Sequence, residues 1–554
     1  MSRKPRRRRY NIKADKLISI HLQTSTCFDL KGSLKDISKT GCSFEVKNTE
    51  DTDSLKIGDL LPLGKLSFED NEWEFGRSVI KFIHTKEELT LFGIMFVDIM
   101  APVDTTFSHY IDLDFSKPTT SSELEIDSMG STLGDFLEKN SESNDIFKKA
   151  YDFQYYFQSL KENDRWGYWL IRKPSSGTKI NLTKKRANRR DDFIVMASND
   201  YLGLSSHPEV VEAAKKGLDL YGFGATGSPV TTGQTEEHQK LEHKLSEVFN
   251  TESATLFNSG YAANLGTISC LAGVNDLLIA DILSHASIAD GMLQSKATSR
   301  LFKHNDMEHL ETILERYREK ADGAMIIAEG VFSMDGDSAP LNEIYKLAKK
   351  YNCRLMLDDA HSFGVLGTNG LGSAEKYDLH GNIDLTMGTF SKICGTIGGF
   401  MCGSKEVIDW INISARSVFF SVGLPPSTVM ATLKSLEIFQ KEPERRSHLR
   451  ENISFFVDGL RELGFEIDKN HDSAIVPVII GDDELLGKMY KILFDAGVYT
   501  IPVVYPAVSK NSSRFRFTVS AIHSKVDLDY VLLVIEKALN ELKINPKKMC
   551  RDVS

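Results

Sequence analysis

The chain is poor in the features that mark specialised protein classes. Only seven of its 554 residues are cysteine, and they are scattered, with no C-x-x-C pair. That excludes a disulfide-stapled scaffold and a structural zinc site, and it fits a reducing cytoplasm. No run of the sequence approaches the roughly 18–20 apolar residues that a membrane span needs. The basic start leads into alternating polar and apolar residues instead of an apolar block, so an export signal is not expected. With 39 glycines and 15 prolines, 41% apolar and 26% charged residues, the chain is neither collagen-like nor mostly disordered. It has no excess of positive charge: 77 acidic against 67 basic side chains give −10. This argues against wholesale nucleic-acid binding.

What is present is organised along the chain. At roughly 150 residues per domain, the length suggests three or four domains. Residues 1–10 carry six cations: Arg3, Lys4, Arg6, Arg7, Arg8 and Arg9. Without them, 61 basic residues face 77 acidic ones, a balance of −16. Between 10 and 112, apolar and β-branched clusters at Leu17–Leu22, Ser78–Ile83 and Leu89–Val97 alternate with turn signals at Lys31-Gly32, Gly58 and Gly76. This predicts a small all-β barrel or sandwich. Residues 115–145 hold ten Ser or Thr and seven acidic residues against two basic ones. Such a composition predicts a linker, with one short helix at Leu133–Leu137.

From 150 onwards helical stretches (Glu209–Leu220, Glu237–Phe249, Met307–Arg318, Leu341–Tyr351) alternate with short apolar runs (Ala324–Ala328, Arg354–Leu357). That rhythm predicts a mainly parallel α/β sheet. Beyond about 430, strands at Ala474–Ile480 and Arg514–Ser520 among helices suggest a smaller α+β domain. The boundaries expected are 1–114 for the β domain, 115–150 for the linker, 151–430 for the large domain with an N-terminal segment, and 431–554 for the small domain.

Two segments carry chemistry. In Arg354-Leu-Met-Leu-Asp-Asp-Ala-His-Ser-Phe-Gly364, an apolar strand runs into Asp358, with His361 three residues on. Ligands bind at the carboxyl ends of such strands, although an aspartate there can also cap the next helix. In Thr389-Phe-Ser-Lys-Ile-Cys-Gly-Thr-Ile-Gly-Gly399, Lys392 sits among small residues that let backbone approach a ligand. A lysine and a strand-end aspartate together suit pyridoxal 5'-phosphate, the lysine for covalent attachment and the carboxylate for the ring nitrogen.

Here the sequence resembles the α-oxoamine synthases, fold-type I pyridoxal-phosphate transferases, over roughly 190–530. The resemblance is carried by Ser198-Asn-Asp-Tyr-Leu-Gly-Leu204, Asn258-Ser-Gly-Tyr-Ala-Ala-Asn264, Ser284-His-Ala-Ser-Ile-Ala-Asp-Gly291 and His304-Asn-Asp306. It continues through Glu329-Gly-Val-Phe-Ser-Met-Asp-Gly-Asp-Ser-Ala-Pro-Leu341, Asp358-Asp-Ala-His361 and the Lys392 loop. It implies that Lys392 holds the cofactor and moves the α-proton. It further implies that Asp358 pairs with the ring nitrogen, His361 bonds the ring's phenolic oxygen and His285 stacks on the ring. Gly260 and Tyr261 would offer backbone N–H groups to the phosphate. Ser333 and Thr389 would add contacts near phosphate or ring, and Ser421 would reach a partner subunit's phosphate. Arg516 would bind the amino-acid carboxylate, helped by Asn199.

The implied reaction is a decarboxylative condensation of an amino acid with an acyl thioester, from CoA or a carrier protein, in a homodimer with shared active sites. Within the family, 8-amino-7-oxononanoate synthase and serine palmitoyltransferase are the specific alternatives. Pro229 stands where many members have Arg, and Val504 where biotin-pathway members have Thr, which weakens the first of these. An aminotransferase or aldolase on the same fold is a further reading, and the Glu329–Leu341 block argues against it. A non-catalytic binding protein is another, opposed by the intact Lys392, Asp358, His285 and Arg516.

Residues 3–112 resemble the PilZ domain, a bacterial β-barrel that binds cyclic di-GMP. The resemblance lies in Asp36-Ile-Ser-Lys-Thr-Gly41 and in the R-x-x-x-R spacing of Arg3 and Arg7. It implies an arginine arm that clamps phosphates, with Asp36, Ser38 and Gly41 completing the nucleotide site. A basic tail attracted to nucleic acid or anionic lipid is the other reading of that arm.

Overall fold

The computed structural model describes the strand backbones between Tyr10 and Phe96, and residues 147–549 apart from 163–166, 175–176 and 183–191. The arginine arm with Arg3 and Arg7 lies outside the described residues, as does the expected linker up to residue 146 with its Leu133–Leu137 helix. The chain divides into two compact units, Met1–Gly130 and Ser131–Ser554.

The first unit contains β1 (Tyr10–Asn11), β2 (Ser19–Gln23), β3 (Asp29–Ser38), β4 (Gly41–Lys47), β5 (Leu60–Leu61), β6 (Leu63–Phe68), β7 (Asn71–Phe75), β8 (Ser78–Lys86) and β9 (Leu89–Phe96). They form one antiparallel sheet in the order β5-β8-β9-β4-β3-β2-β6-β7, with β1 added on β3. One expected turn is corrected. Lys31-Gly32 runs through the middle of β3, where Gly32 pairs with Ile20 of β2. Neighbours on both sides of β3 supply ladder hydrogen bonds that outweigh the turn tendency of a single glycine. Ser38 ends β3 and Gly41 begins β4 as direct partners, and a bulge between Leu34 and Asp36 shifts the register just before.

In the second unit, seven strands build the main sheet. They are β12 (Ser253–Phe257), β13 (Leu277–Asp281), β14 (Thr298–Phe302), β15 (Ala324–Glu329), β16 (Arg354–Asp358), β17 (Leu385–Thr389) and β18 (Gly399–Gly403). The order is β12-β18-β17-β16-β15-β13-β14. Every pair from β17 to β14 is parallel, and only β18 runs against its neighbours. β13, β17 and β18 are buried at every position. That explains why they read as continuous apolar or small runs without alternation. Helices such as Pro208–Tyr221, Glu236–Phe249, Met307–Tyr317 and Leu341–Lys350 follow the expected stretches within a residue or two.

The C-terminal part is built from both ends of this unit. β19 (Ile475–Ile479), β22 (Arg514–Thr518) and β21 (Ile501–Val503) form one small sheet. β10 (Lys179–Asn181) and β11 (Asp192–Val195) form another with β20 (Val498–Tyr499), where β11 pairs parallel to β20. The segment before the large sheet therefore pairs with C-terminal strands. Among the described residues no helix is long and apolar enough to cross a membrane.

Candidate active site

Four strands of the main sheet end in polar residues at the same edge: Asp281 on β13, Glu329 on β15, Asp358 on β16 and Thr389 on β17. In a parallel sheet these carboxyl ends open onto one crevice. Asp358 is buried and faces Glu329 directly in the strand register. Its Oδ2 accepts from Asn264 Nδ2 at 2.7 Å and its Oδ1 from the Ala360 N–H at 3.1 Å. A carboxylate has about four acceptor positions, so capacity is left for a ligand N–H.

Lys392 lies in the loop after β17, half-buried. Removal from water pushes its ammonium down to about 8. Asp358 opposes that shift, Arg516 adds to it, and Glu329 opposes it more weakly. Among the described residues Lys392 forms no ion pair, so the amine is available as a nucleophile or base near neutral pH.

Two histidines face this group, and both are held neutral. Burial lowers His285 against the opposing pull of Asp358. Its Nδ1 accepts the Ser287 N–H at 3.3 Å and lies 2.8 Å from Ser287 Oγ, which itself accepts from Asn264. A neutral ring with Nδ1 as acceptor carries its proton on Nε2. The ring stands edge-on to Tyr261, 6.1 Å between centroids. Burial, then Lys392, Arg516 and His285, push His361 well below its ordinary value. Its Nδ1 is 2.6 Å from the Tyr201 hydroxyl. Burial raises that phenol to about 12, so it keeps its proton and donates it to His361. His361 Nε2–H then points its donor away from the tyrosine.

Gly260 opens the helix Gly260–Leu271, capped by Ser259, whose side chain accepts from the Ala262 N–H. The N–H groups of such a first turn have no partner within the helix. A Cβ on Gly260 would stand 3.2 Å from Thr389 Cβ, so glycine keeps this end of the crevice clear. Thr389 donates its hydroxyl to Gly398 O at 2.8 Å, which leaves it only acceptor capacity towards a ligand. Asn258 donates to Ser421 Oγ at 2.7 Å within the same chain, beside that helix start. Tyr261 is bonded through its hydroxyl to Asp290.

Arg516 on β22 is 8% exposed and held on three sides. Nε donates to Ser333 O at 2.6 Å, Nη1 to Thr518 Oγ1 at 3.2 Å and Nη2 to Asn199 Oδ1 at 3.3 Å. Ser333 thus acts through its carbonyl, and Asn199 holds the guanidinium in place. The Ser333 loop is tied down in turn. Asp337 accepts from His304 Nε2 at 2.9 Å and from Asn305 Nδ2 at 2.8 Å, while buried Asp281 takes His304 Nδ1 at 3.0 Å.

This donor set fits pyridoxal phosphate. It offers an available amine, a buried carboxylate with spare acceptor capacity, two neutral imidazoles and an open helix N-terminus. The sequence pattern of the aminotransferase class I and II family matches residues 191–535. This chain belongs to that family. Its cofactor is pyridoxal 5'-phosphate, and it is a pyridoxal-phosphate-dependent acyltransferase of the α-oxoamine synthase group.

Relatives support that group. The 8-amino-7-oxononanoate synthase of Thermoanaerobacter pseudethanolicus is 41% identical over 64% of this chain and 89% of its own length. The serine palmitoyltransferase of Sphingobacterium spiritivorum is 38% identical over 70% and 94%. The solved serine palmitoyltransferase of S. paucimobilis with a bound PLP–myriocin aldimine superposes with a TM-score of 0.69 at 32% identity, covering 72% of this chain and 99% of that one.

Sequence reasoning passed over Tyr201, Asn264, Glu329 and Thr518. The first three lie inside quoted motif blocks. Glu329 closes an apolar run just as Asp358 does, and that signal was there to be read.

Proposed function

We propose that the enzyme condenses an α-amino acid with an acyl thioester, the acyl group of CoA or a carrier protein, to give an α-aminoketone, CO2 and a free thiol. The observation that carries this reading is the convergence of Lys392, Asp358, His285 and His361 with Arg516 on one crevice.

Bound pyridoxal phosphate supplies an electron sink for charge developing at the substrate Cα. Lys392 anchors the cofactor and then, as a neutral amine, accepts the α-proton at Nζ. Asp358 holds the ring nitrogen protonated. His285 would cover the ring face, and the Nε2–H of His361 would be free to donate to the phenolic oxygen. The first turn at Gly260 and Tyr261 would hold the phosphate, with Ser333 and Thr389 near phosphate or ring and Ser421 reaching towards the phosphate bound by the partner subunit. Arg516 fixes the substrate carboxylate, so that the Cα–H bond is presented to Lys392. The names of the relatives, 8-amino-7-oxononanoate synthase and serine palmitoyltransferase, support both alternatives within the family. Pro229 and Val504 favour a substrate other than that of the biotin pathway. A matrix of amino acids against acyl-CoA and acyl-carrier-protein chain lengths, read by CO2 and thiol release, tests the proposal. Turnover without any acyl thioester would favour an aminotransferase instead.

Two further parts belong to the proposal. The enzyme works as a homodimer with shared active sites. The exposed Phe420, Val422 and Tyr261 at the mouth of the crevice support a second copy covering it. The first unit is a PilZ-like module in which Arg3, Arg7, Asp36, Ser38 and Gly41 bind cyclic di-GMP and control turnover or localisation. Support comes from its antiparallel sheet and from the Ser38–Gly41 pair closing β3 and β4. Calorimetric titration of the full chain with cyclic di-GMP, followed by rate and dimer measurements at saturation, tests it. Absence of binding would remove the sensor.

A further inference from the structure

Glu329 has no part in the chemistry above, yet it stands at the centre of the crevice. It is the last residue of β15, 3% exposed, and in register with Asp358 on β16. Its Oε1 accepts the backbone N–H of His285, the residue that caps the helix Ala286–Gln294. The carboxyl therefore grips the backbone that aims the His285 ring.

Two buried carboxyls side by side do not both ionise readily. Hydrogen-bond donors favour the ionised form of a carboxyl, and a carboxyl with few of them gives up its charge more readily. Asp358 accepts from Asn264 and Ala360, whereas among the described residues Glu329 accepts only from His285. Asp281, from β13, adds further negative charge on Glu329's other flank. Lys392 pulls the opposite way, but its own ammonium is weakened. Burial and Asp358 together push Glu329 well above the ordinary carboxyl range.

We propose that Glu329 is a positioning residue that works as a neutral carboxylic acid, anchoring the His285 backbone beside Asp358. This rests on the cofactor reading of the site. An ionised Glu329 would draw Lys392 towards its protonated, inactive form. It would also blunt the preference of the ring nitrogen for Asp358. Glutamine has the same length, can accept the same N–H and cannot ionise, so it should replace Glu329 well. Alanine cannot.

The test uses full-length apoenzyme titrated with pyridoxal phosphate. The visible band of the lysine-bound cofactor is followed from pH 6 to 9.5 in wild type, Glu329→Gln and Glu329→Ala. Glu329→Gln should bind cofactor within about threefold of wild type, with its band titrating in the same pH range. Glu329→Ala should bind about tenfold more weakly and lose kcat more than KM, because the His285 amide loses its partner. A Gln variant whose titration moves by about one unit or more would show that Glu329 carries charge, and would overturn the proposal. An Ala variant that matches wild type would overturn the positioning role. If Glu329→Ala does not fold, the Gln variant alone decides. A band that survives in Lys392→Ala would instead remove the cofactor reading itself.

Discussion

Replacing Arg516 measures what the carboxylate clamp contributes. The guanidinium is nearly buried and already oriented by Ser333 O, Thr518 Oγ1 and Asn199 Oδ1. A substrate carboxylate therefore meets a fork that needs no further ordering. Each charge-assisted hydrogen bond is worth about 1.5–3 kcal/mol. For a bidentate pair, the lower part of that range gives about 3–4 kcal/mol. At 1.36 kcal/mol per factor of ten, Arg516→Ala should lower kcat/KM for the amino acid by roughly 10²–10³-fold. Arg516→Lys retains charge but not the fork and should lose roughly 10–10²-fold. The assay is steady-state thiol release at varied amino acid. Cofactor absorbance and thermal melting serve as controls, because the Ser333 loop loses a tie in both variants. If Arg516→Ala keeps kcat/KM for the amino acid within about threefold of wild type while binding cofactor normally, the clamp assignment is wrong.

Three more outcomes are expected. Covalent capture of pyridoxal phosphate by apoenzyme should accelerate as pH rises through about 8, where burial leaves the Lys392 amine neutral. A flat stopped-flow profile between pH 7 and 9 would contradict this. For His304, burial favours the neutral ring, but hydrogen bonds to Asp281 and Asp337 outweigh it and raise the imidazole to about 10. A raised value means stability that is complete below the ordinary 6.5 and lost as pH climbs through about 10. Melting temperature should therefore fall more steeply over that window in wild type than in His304→Gln, and parallel curves would refute the network. Finally, Gly372 has φ +90°, and a Cβ there would sit 1.7 Å from Asp359 Oδ2. Gly372→Ala should lose about 3 kcal/mol in urea unfolding, and a loss under about 0.5 kcal/mol would refute the close approach.

The cofactor end of the crevice was legible because its residues are local. Asp358 and His361 are three positions apart after an apolar strand, and Lys392 lies in a loop of small residues that a ligand can approach. The parallel sheet was legible from its buried, unalternating strands. The partnerships were not. That Asn199 holds Arg516, that Tyr201 sets the His361 tautomer, and that Asn264 joins Asp358 to Ser287 all depend on contacts between distant segments. No periodicity encodes these. The pairing of β11 with β20 was invisible for the same reason. Gly32 shows the converse: a local turn signal was overruled by strands on both flanks.

The Asn199–Arg516 bond joins residues 317 positions apart. At about 5–20 residues per second of synthesis, the second partner emerges roughly 16–63 s after the first. All seven strands of the cofactor sheet are made within that interval. A nascent chain can therefore own its cofactor cradle well before it can hold an amino acid. The order of manufacture would keep half-made enzyme from engaging substrate through this clamp.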